Sequence, residues 1–436
     1  MIPTIIISVI TFILIILSIL FFPHLKIGKI QLDTYWIIAS FGAIILLSFN
    51  LTPIKEVFSQ MTANTPVNPL KILVLFFSMT ILSIFLDEFG LFRYLASLAA
   101  KHGHSSQYSL FFILYGLTSL LTVFTSNDVV ILTITPFICF FAKRTKINPI
   151  PYLIAEFAGA NTWSLMFVIG NPTNIYLATS AGINFMNYLK VMWLPTIAAG
   201  LVEIGIIFLL FRRKLKQPLS IDEDDQGYVI PSKVDLFIGL AHLFVCLVFL
   251  VISSYIGIEM WIISSICALS LLIITLIIRL ITRQYWSFIT NSLKRLPYQL
   301  IPFFLSMFII VVGINYQGIT QKMSEILGSK QPILVYGYSS FVVSNLINNI
   351  PMSILFSKLE MNLIGTTYTQ AVYASIIGSN IGAFLTPIGA LAGIMFSHLV
   401  NEQHIKMSFI DFAKYGVITA IPTISVCLLT LMLVVR

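Results

Sequence analysis

Thr125-Ser126-Asn127-Asp128 lies in the middle of a long apolar stretch, residues 107–142, and Asn348-Asn349-Ile350-Pro351 holds the corresponding place in a second stretch, residues 334–357. The first stretch is too long for one straight crossing of a bilayer, which takes about 20 helical residues. Non-helical backbone at membrane depth persists only where protein or a watery cavity surrounds it. We therefore predict two re-entrant helical hairpins whose polar tips stop inside the protein.

The composition of the whole chain agrees with a membrane location. Of its 436 residues, 58% are hydrophobic and only 10% are charged, and the mean hydropathy is +0.96. Soluble domains carry roughly a quarter charged residues. The net charge of +8 is better explained by cytoplasmic loops than by a nucleic-acid surface, so the lipid bilayer is the expected partner and nucleic acid is not.

A second kind of polar interruption follows each predicted hairpin. Residues 150–178 form an apolar stretch that contains Gly159–Thr162 and is broken near Ile169–Asn174, where glycine and proline interrupt helical hydrogen bonding. In the second half the corresponding segments are Gly378–Ile381 and Pro387–Gly389. Duplicated broken helices are typical of membrane transporters.

Short matches in one common order indicate an internal duplication. The matched sets are Ser78-Met79 and Gly90 with Ser306-Met307 and Gly318, Asn161 and Gly170 with Asn380 and Gly389, and Pro195-Thr196-Ile197 with Pro422-Thr423-Ile424. We expect a first transmembrane repeat at 1–211, a charged linker at 212–234 and a second repeat at 235–436. The predicted fold is an all-α integral membrane protein with two inverted-topology repeats. Each repeat has about five spanning helices, one of them broken, and one re-entrant hairpin.

The distribution of basic residues predicts the orientation, because Lys and Arg are enriched in cytoplasmic loops. Under the predicted topology, most Lys and Arg fall on the same side as the linker. The opposite side receives Lys55, Lys71, Lys190, Lys322, Lys330, Lys358 and Arg436. We therefore expect a multi-pass protein of the cytoplasmic membrane, with a cytoplasmic linker and both termini outside.

The tips and breaks supply the candidate substrate-binding residues. Helix N-termini at such breaks attract anions, and amide or hydroxyl side chains bind without adding a buried charge. The candidates are Asn127, Asn161, Thr162, Asn171, Thr173, Asn174, Asn348, Asn349, Ser379, Asn380 and Thr386. No Lys or Arg lies in these segments, which favours a weakly charged substrate or one neutralised by a bound cation. Such polar residues also join membrane helices, but their pairing in both halves favours a site.

Two carboxyls in the first half are candidates for the coupling ion. A carboxylate at the bilayer centre costs about 2.5–3.5 kcal/mol on insertion scales, so its presence indicates function. Asp128 lies at the first tip, where the second half has Asn349, and Glu156 precedes Asn161, where the second half has Ser375. Either carboxyl could carry a proton or line a Na⁺ site.

Other classes of chemistry find little support. The cysteines lie singly in apolar runs and the histidines form no HExxH pattern, so no metal and no cofactor is expected. An enzyme would need a nucleophile and base, and no such pattern occurs. A passive channel is disfavoured because blocked hairpin tips leave no open pore. No GxxxxGK[ST] signature is present, so ATP-driven transport would require a separate ATPase partner.

These residues resemble the ion transporter superfamily, particularly its arsenite permease branch and the citrate and dicarboxylate relatives. The resemblance rests on Leu86–Phe92, Asn127-Asp128 through Pro136, Asn348–Pro351, and Gly378-Ser379-Asn380 through Gly389. It implies inverted repeats, a scaffold with a transport part, and secondary active transport, often as a homodimer. The chain departs from arsenite permeases at Asn161, where they usually carry an acidic residue, and at Ile169–Pro172, which is closer to the carboxylate and sodium–proton branches.

The leading hypothesis is a secondary active transporter for a small anion or oxyanion, coupled to H⁺ or Na⁺ by antiport or symport. Arsenite/antimonite-type efflux is the specific expectation, and a citrate/dicarboxylate symporter is the first alternative. A Na⁺/H⁺ antiporter comes third, because the two carboxyls could serve it without an anion.

Overall fold

The computed structural model describes residues 1–22, 24–27, 30–64, 68–102, 106–216, 230–282 and 287–435. Most of the predicted linker 212–234 therefore lies outside the described residues, as does Arg436. The described part is helical apart from one antiparallel pair of short strands, β1 His24–Ile27 and β2 Ile30–Asp33, in which His24 pairs with Asp33. This architecture confirms the predicted helical membrane class.

Ten helices lie among the described residues of the first half. They are α1 Ile2–Phe21, α2 Thr34–Ser48, α3 Ile54–Thr62, α4 Pro69–Glu88, α5 Leu91–His102, α6 Gln107–Phe124, α7 Asn127–Thr145, α8 Ile150–Trp163, α9 Pro172–Ser180 and α10 Phe185–Phe211. Short 3₁₀ turns occur at Val168–Gly170 and Lys214–Lys216.

The second half repeats the same succession of long and short helices. They are α11 Lys233–Ile256, α12 Met260–Ile281, α13 Ser287–Lys294, α14 Leu300–Tyr316, α15 Ile319–Leu327, α16 Pro332–Ile347, α17 Asn349–Glu360, α18 Gly365–Gly382, α19 Leu391–Glu402 and α20 Phe409–Val434.

Seven helices among the described residues are long and apolar enough to cross a bilayer: α1, α4, α6, α10, α11, α12 and α20. The count is eight if α14 and α15, which meet at 80°, form one bent crossing, and α2 and α16 are shorter apolar helices. Exposed Ile, Leu, Val and Phe side chains on these helices suit lipid, whereas α8 and α18 are buried over most of their length. The breaks therefore lie in the protein interior.

Helix contacts in the two halves follow one pattern. Helix α8 packs against α6, α7 and α10, and α18 packs likewise against α16, α17 and α20. Contacts between the halves are also paired, since α4 meets α12 as α14 meets α2, and α7 meets α19 as α17 meets α9. Such reciprocal packing supports the predicted duplication, while the inverted orientation of the repeats remains a prediction.

Helix starts are set by local capping. Proline occupies the first turn of α4, α9 and α16, where its missing N–H costs no hydrogen bond. Asn68 and Asn171 accept hydrogen bonds from the backbone N–H groups that begin α4 and α9. Pro172 therefore starts a helix. The first break lies between Trp163 and Pro172, somewhat earlier than the predicted Ile169–Asn174.

Candidate functional site

The first tip is the short connection between α6 and α7. Asn127 begins α7, and its Nδ2 donates to Oδ1 of Asn161 on α8 at 3.2 Å. Within the described part of the chain, the buried Oδ1 of Asn127 and the buried Oγ of Ser126 have no hydrogen-bond partner. Buried polar atoms are rarely left unpaired, so these two atoms are candidates to bind a ligand.

The conformation of the first break is fixed by the side chains of its own asparagines. The Oδ1 atom of Asn171 accepts from the Thr173 backbone N–H at 3.1 Å and from its hydroxyl at 3.0 Å. Asn174 Nδ2 donates to the Ser164 carbonyl at 2.8 Å. At Gly170 an added Cβ would lie 2.3 Å from that same carbonyl oxygen, so no side chain fits there. The break is thus a fixed, closely packed turn.

Asn380 on α18 connects the second half to this break. Its Oδ1 accepts from Ser164 Oγ at 2.7 Å and from Asn171 Nδ2 at 3.0 Å, and its Nδ2 donates to Asn174 Oδ1 at 2.5 Å. Ser164 Oγ also donates to the Asn161 carbonyl at 2.7 Å. All of these side chains are buried. We call the connected set the amide network; its members are Asn127, Asn161, Ser164, Asn171, Thr173, Asn174 and Asn380.

The second tip binds the second break instead. The Asn348 Nδ2 donates to the Ile388 carbonyl at 3.3 Å, and the backbone N–H of Asn349 donates to the Gly389 carbonyl at 3.0 Å. Thr386 Oγ1 donates to Oδ1 of Asn345 at 2.6 Å. These candidates therefore hold the second tip against the second break, and among the described residues they make no hydrogen bond to the amide network.

Two predicted site residues lie outside both groups. Thr162 donates its hydroxyl to the buried carboxyl of Glu203, which also accepts from the Tyr115 hydroxyl at 2.9 Å. That arrangement joins α8 to α10 and α6. Ser379 is fully buried beside Asn380, and its Oγ has no partner among the residues the structure describes.

The two predicted coupling carboxyls occupy different surroundings. Asp128 is partly exposed and lines a cavity of about 720 Å³. Glu156 is buried between α8 and α7, where its Oε1 and Oε2 face the Thr135 hydroxyl at 3.2 and 3.0 Å. A solute in the cavity could therefore reach Asp128 directly, whereas Glu156 is enclosed by protein.

The cavity adjoins both halves. Asp128, Val129 and Leu132 contribute from the first tip, and Pro387 and Ile388 contribute from the second break. Its wall also includes Lys294, Arg295 and His398, and most of the remaining wall is apolar. Arg295 forms ion pairs with Asp87 at 2.6 Å and Glu88 at 2.7 Å. Charged side chains of both signs thus line the cavity, since Asp33 and Asp128 belong to the same wall.

The amino-acid sequence matches a known family of membrane proteins. The family described as citrate transporter matches residues 12–371. The chain belongs to the citrate transporter family. This family member is 26% identical over 374 residues to the arsenical pump membrane protein of Escherichia coli strain K12, covering 82% of this chain and 85% of that protein. The Yersinia enterocolitica arsenical pump membrane protein is also 26% identical, over 383 residues, with the same coverage.

A solved structure supports the fold of this citrate transporter family member. The YdaH transporter of Alcanivorax borkumensis superimposes with a TM-score of 0.55 at 15% identity, covering 99% of this chain and 97% of that one. The family and the relatives are membrane transporters, so the chain is a multi-pass membrane transporter and not an enzyme.

Several residues of the site were missed by the sequence reasoning. Ser164 lies one helical turn after Asn161 and Asn345 one turn before Asn348, so helical spacing from the predicted asparagines could have found both. Thr135, the partner of Glu156, belongs to another helix and had no such signal. Among the described residues, no group of three His, Cys, Asp or Glu side chains could hold a metal ion.

Proposed function

We propose that this protein is a secondary active transporter that moves a small anion or oxyanion across the cell membrane, coupled to H⁺ or Na⁺. The observation that carries the proposal is the buried amide network, which joins α7, α8 and the first break to α18 of the other half. A site shared by two halves can change its exposure when one part moves against the other.

The chemistry of the network favours a neutral or weakly charged substrate. Amide and hydroxyl groups both donate and accept hydrogen bonds, and no Lys or Arg belongs to the network. Fully protonated arsenite and antimonite are uncharged hydroxides, so they suit such groups. This match, and the names of the bacterial relatives, support arsenite/antimonite efflux as the specific function.

A citrate/dicarboxylate symporter is the alternative that the family description supports. A multiply charged carboxylate would have to be neutralised, either by co-bound cations or by the basic side chains Lys294 and Arg295 of the cavity wall. The N-termini of α7, α9 and α17, at the tips and the first break, would add favourable dipoles. This alternative predicts that transport requires a cation gradient.

A Na⁺/H⁺ antiporter remains a third candidate. Asp128 faces the cavity and makes no hydrogen bond or ion pair within the described ranges, so it is free to take up a cation. We propose Asp128 as the coupling group that meets the solution, and Glu156 as an enclosed one.

The predicted orientation determines the side of the membrane toward which the cavity opens. Lys294 and Arg295 belong to the side of the predicted topology that also contains the linker, which we place in the cytoplasm. The cavity would then open toward the cytoplasm, the side from which an exporter loads.

The test compares two carboxyls on one cavity wall. Asp128→Asn should abolish gradient-driven flux in proteoliposomes and preserve exchange of labelled for unlabelled substrate. Asp33→Asn changes another carboxyl that lines the same cavity, at the end of β2 instead of at the tip, and is the matched control. Equal H⁺ and Na⁺ dependence in Asp128→Asn and the wild type would remove Asp128 from the mechanism.

A further inference from the structure

Glu360 is the last residue of α17 and is fully buried. Within the part of the chain that the structure describes, neither carboxyl oxygen has a hydrogen-bond partner, and no Lys, Arg or His forms an ion pair with the group. An isolated buried carboxylate is strongly disfavoured, and such a group normally becomes neutral instead. These surroundings therefore favour the uncharged acid form of Glu360.

Among the described residues, the surroundings of Glu360 contain hydroxyls and no charged partner for its carboxyl. Ser375 on α18 lies beside the carboxyl, and its Oγ is also unpartnered among the described residues. The titratable neighbours are the phenols of Tyr336 on α16 and Tyr368 on α18. From α9, Tyr176 approaches α17 at Ser357. No charged side chain of α9, α14 or α15 forms an ion pair with Glu360 in the described residues.

The position is close to solution although the carboxyl is buried. Helix α17 ends at Glu360, and the chain then turns through Met361 and Ile364, which are 45% and 89% exposed. The residues that follow Glu360 directly are thus exposed at the protein surface. A small opening at this end of α17 would let a proton exchange with water.

The repeat relation gives this carboxyl a counterpart. Aligning the tips, Asn127 with Asn348, places Cys139 at the position of Glu360, and aligning Asn161 with Asn380 places Glu156 at that of Ser375. In the first half the carboxyl comes from α8 and faces Thr135 on α7.

In the second half the carboxyl comes from α17 and faces Ser375 on α18. Each half thus buries one carboxyl at the same helix contact, contributed by opposite helices.

We propose that Glu360 and Ser375 form a second proton-binding site, which loads and releases its proton at the opposite face of the membrane from Glu156. The assignment of faces rests on the proposed coupled transport and on the inverted topology. Proton binding itself rests on the unpartnered buried carboxyl alone. The site needs no oxidant, metal or cofactor, because the step is protonation of one carboxylate oxygen.

Infrared spectroscopy of the purified protein tests proton binding without any substrate. At neutral pH, Glu360→Gln should lose one C=O stretching band of a protonated carboxylic acid relative to the wild type. The exposed Glu325→Gln should instead lose carboxylate intensity. Loss of carboxylate intensity in Glu360→Gln would overturn the proposal. Ser375→Ala keeps the acid and should shift its band, whereas an unshifted band would overturn the Glu360–Ser375 pairing.

A transport measurement tests the coupling role separately. In proteoliposomes, Glu360→Gln should lose the part of the flux driven by a pH gradient and keep substrate exchange. Full pH-driven flux in this variant would overturn the role of Glu360 in coupling. If the wild type moves no substrate under any gradient, the proposed function fails, while the infrared band still decides whether Glu360 binds a proton.

Discussion

Asn380→Ala is expected to destabilise the protein by removing the centre of the amide network. The side chain makes three hydrogen bonds to residues outside its own helix: Ser164 Oγ, Asn171 Nδ2 and Asn174 Oδ1. Hydrogen bonds between membrane helices average about 0.6 kcal/mol and reach about 1.7 kcal/mol. Three such bonds predict a loss of about 2 kcal/mol in unfolding free energy, with an upper limit of about 5 kcal/mol.

The unfolding of this variant can be measured by denaturant titration in mixed micelles, with Asn362→Ala as the matched control. Asn362 is an exposed asparagine, and its amide donates only to the Lys358 and Leu359 carbonyls of the adjacent helix end. Its replacement should cost about 0.5 kcal/mol or less. A loss in Asn380→Ala no larger than that of the control would refute the idea that the network joins the two halves.

Three further predictions concern packing, charge and orientation. Gly378→Ala should lower the free energy of unfolding by about 1–3 kcal/mol, because the added Cβ would lie 2.3 Å from the Gly337 carbonyl oxygen. Gly116→Ala is the control, since its Cβ meets nothing within 4 Å. In thermal unfolding the control should be neutral or slightly stabilising. Arg295→Gln leaves the buried Asp87 carboxylate without its cation and should lower the free energy of unfolding by about 3 kcal/mol, the low end for buried pairs because Arg295 is 27% exposed. Arg295→Lys should restore part of that stability. Equal stability of the wild type and both variants would contradict the role of Arg295 as the partner of Asp87. Ser220→Cys in the linker should react with an impermeant thiol reagent only from the cytoplasmic side, where the predicted orientation places the linker. The four native cysteines are buried and should add little background labelling. Labelling from outside would reverse the proposed orientation.

The sequence was sufficient to predict the helical membrane class and the places where helices break. Hydropathy marks the long helices, and Asn127, Asn348 and Pro172 mark interruptions because their side chains or rings set the local backbone. The same residues become helix starts in the structure. These features are local in the chain, so the sequence displays them directly.

Contacts between distant segments were not predictable in the same way. The bonds that connect Asn380 to Ser164 and Asn171 span more than 200 residues, and nothing in either segment specifies the partner. The sequence alone does not indicate Glu360, because this carboxyl comes from α17 whereas its counterpart Glu156 comes from α8. The two carboxyls therefore do not occupy matching positions in the repeats. Sequence symmetry suggests a carboxyl in one half alone, while the packing of α7 on α8 and of α17 on α18 reveals one in each.

Flux through the purified wild-type protein in liposomes decides whether this protein carries out coupled transport of a small anion or oxyanion. Arsenite, antimonite and citrate should each be offered under an imposed pH or Na⁺ gradient, with protein-free liposomes as the control. We predict saturable flux of arsenite or antimonite that follows the gradient and collapses when an ionophore dissipates it. Flux that rises linearly with concentration and does not respond to either gradient, or no flux of any of the three solutes, would contradict coupled transport by this protein.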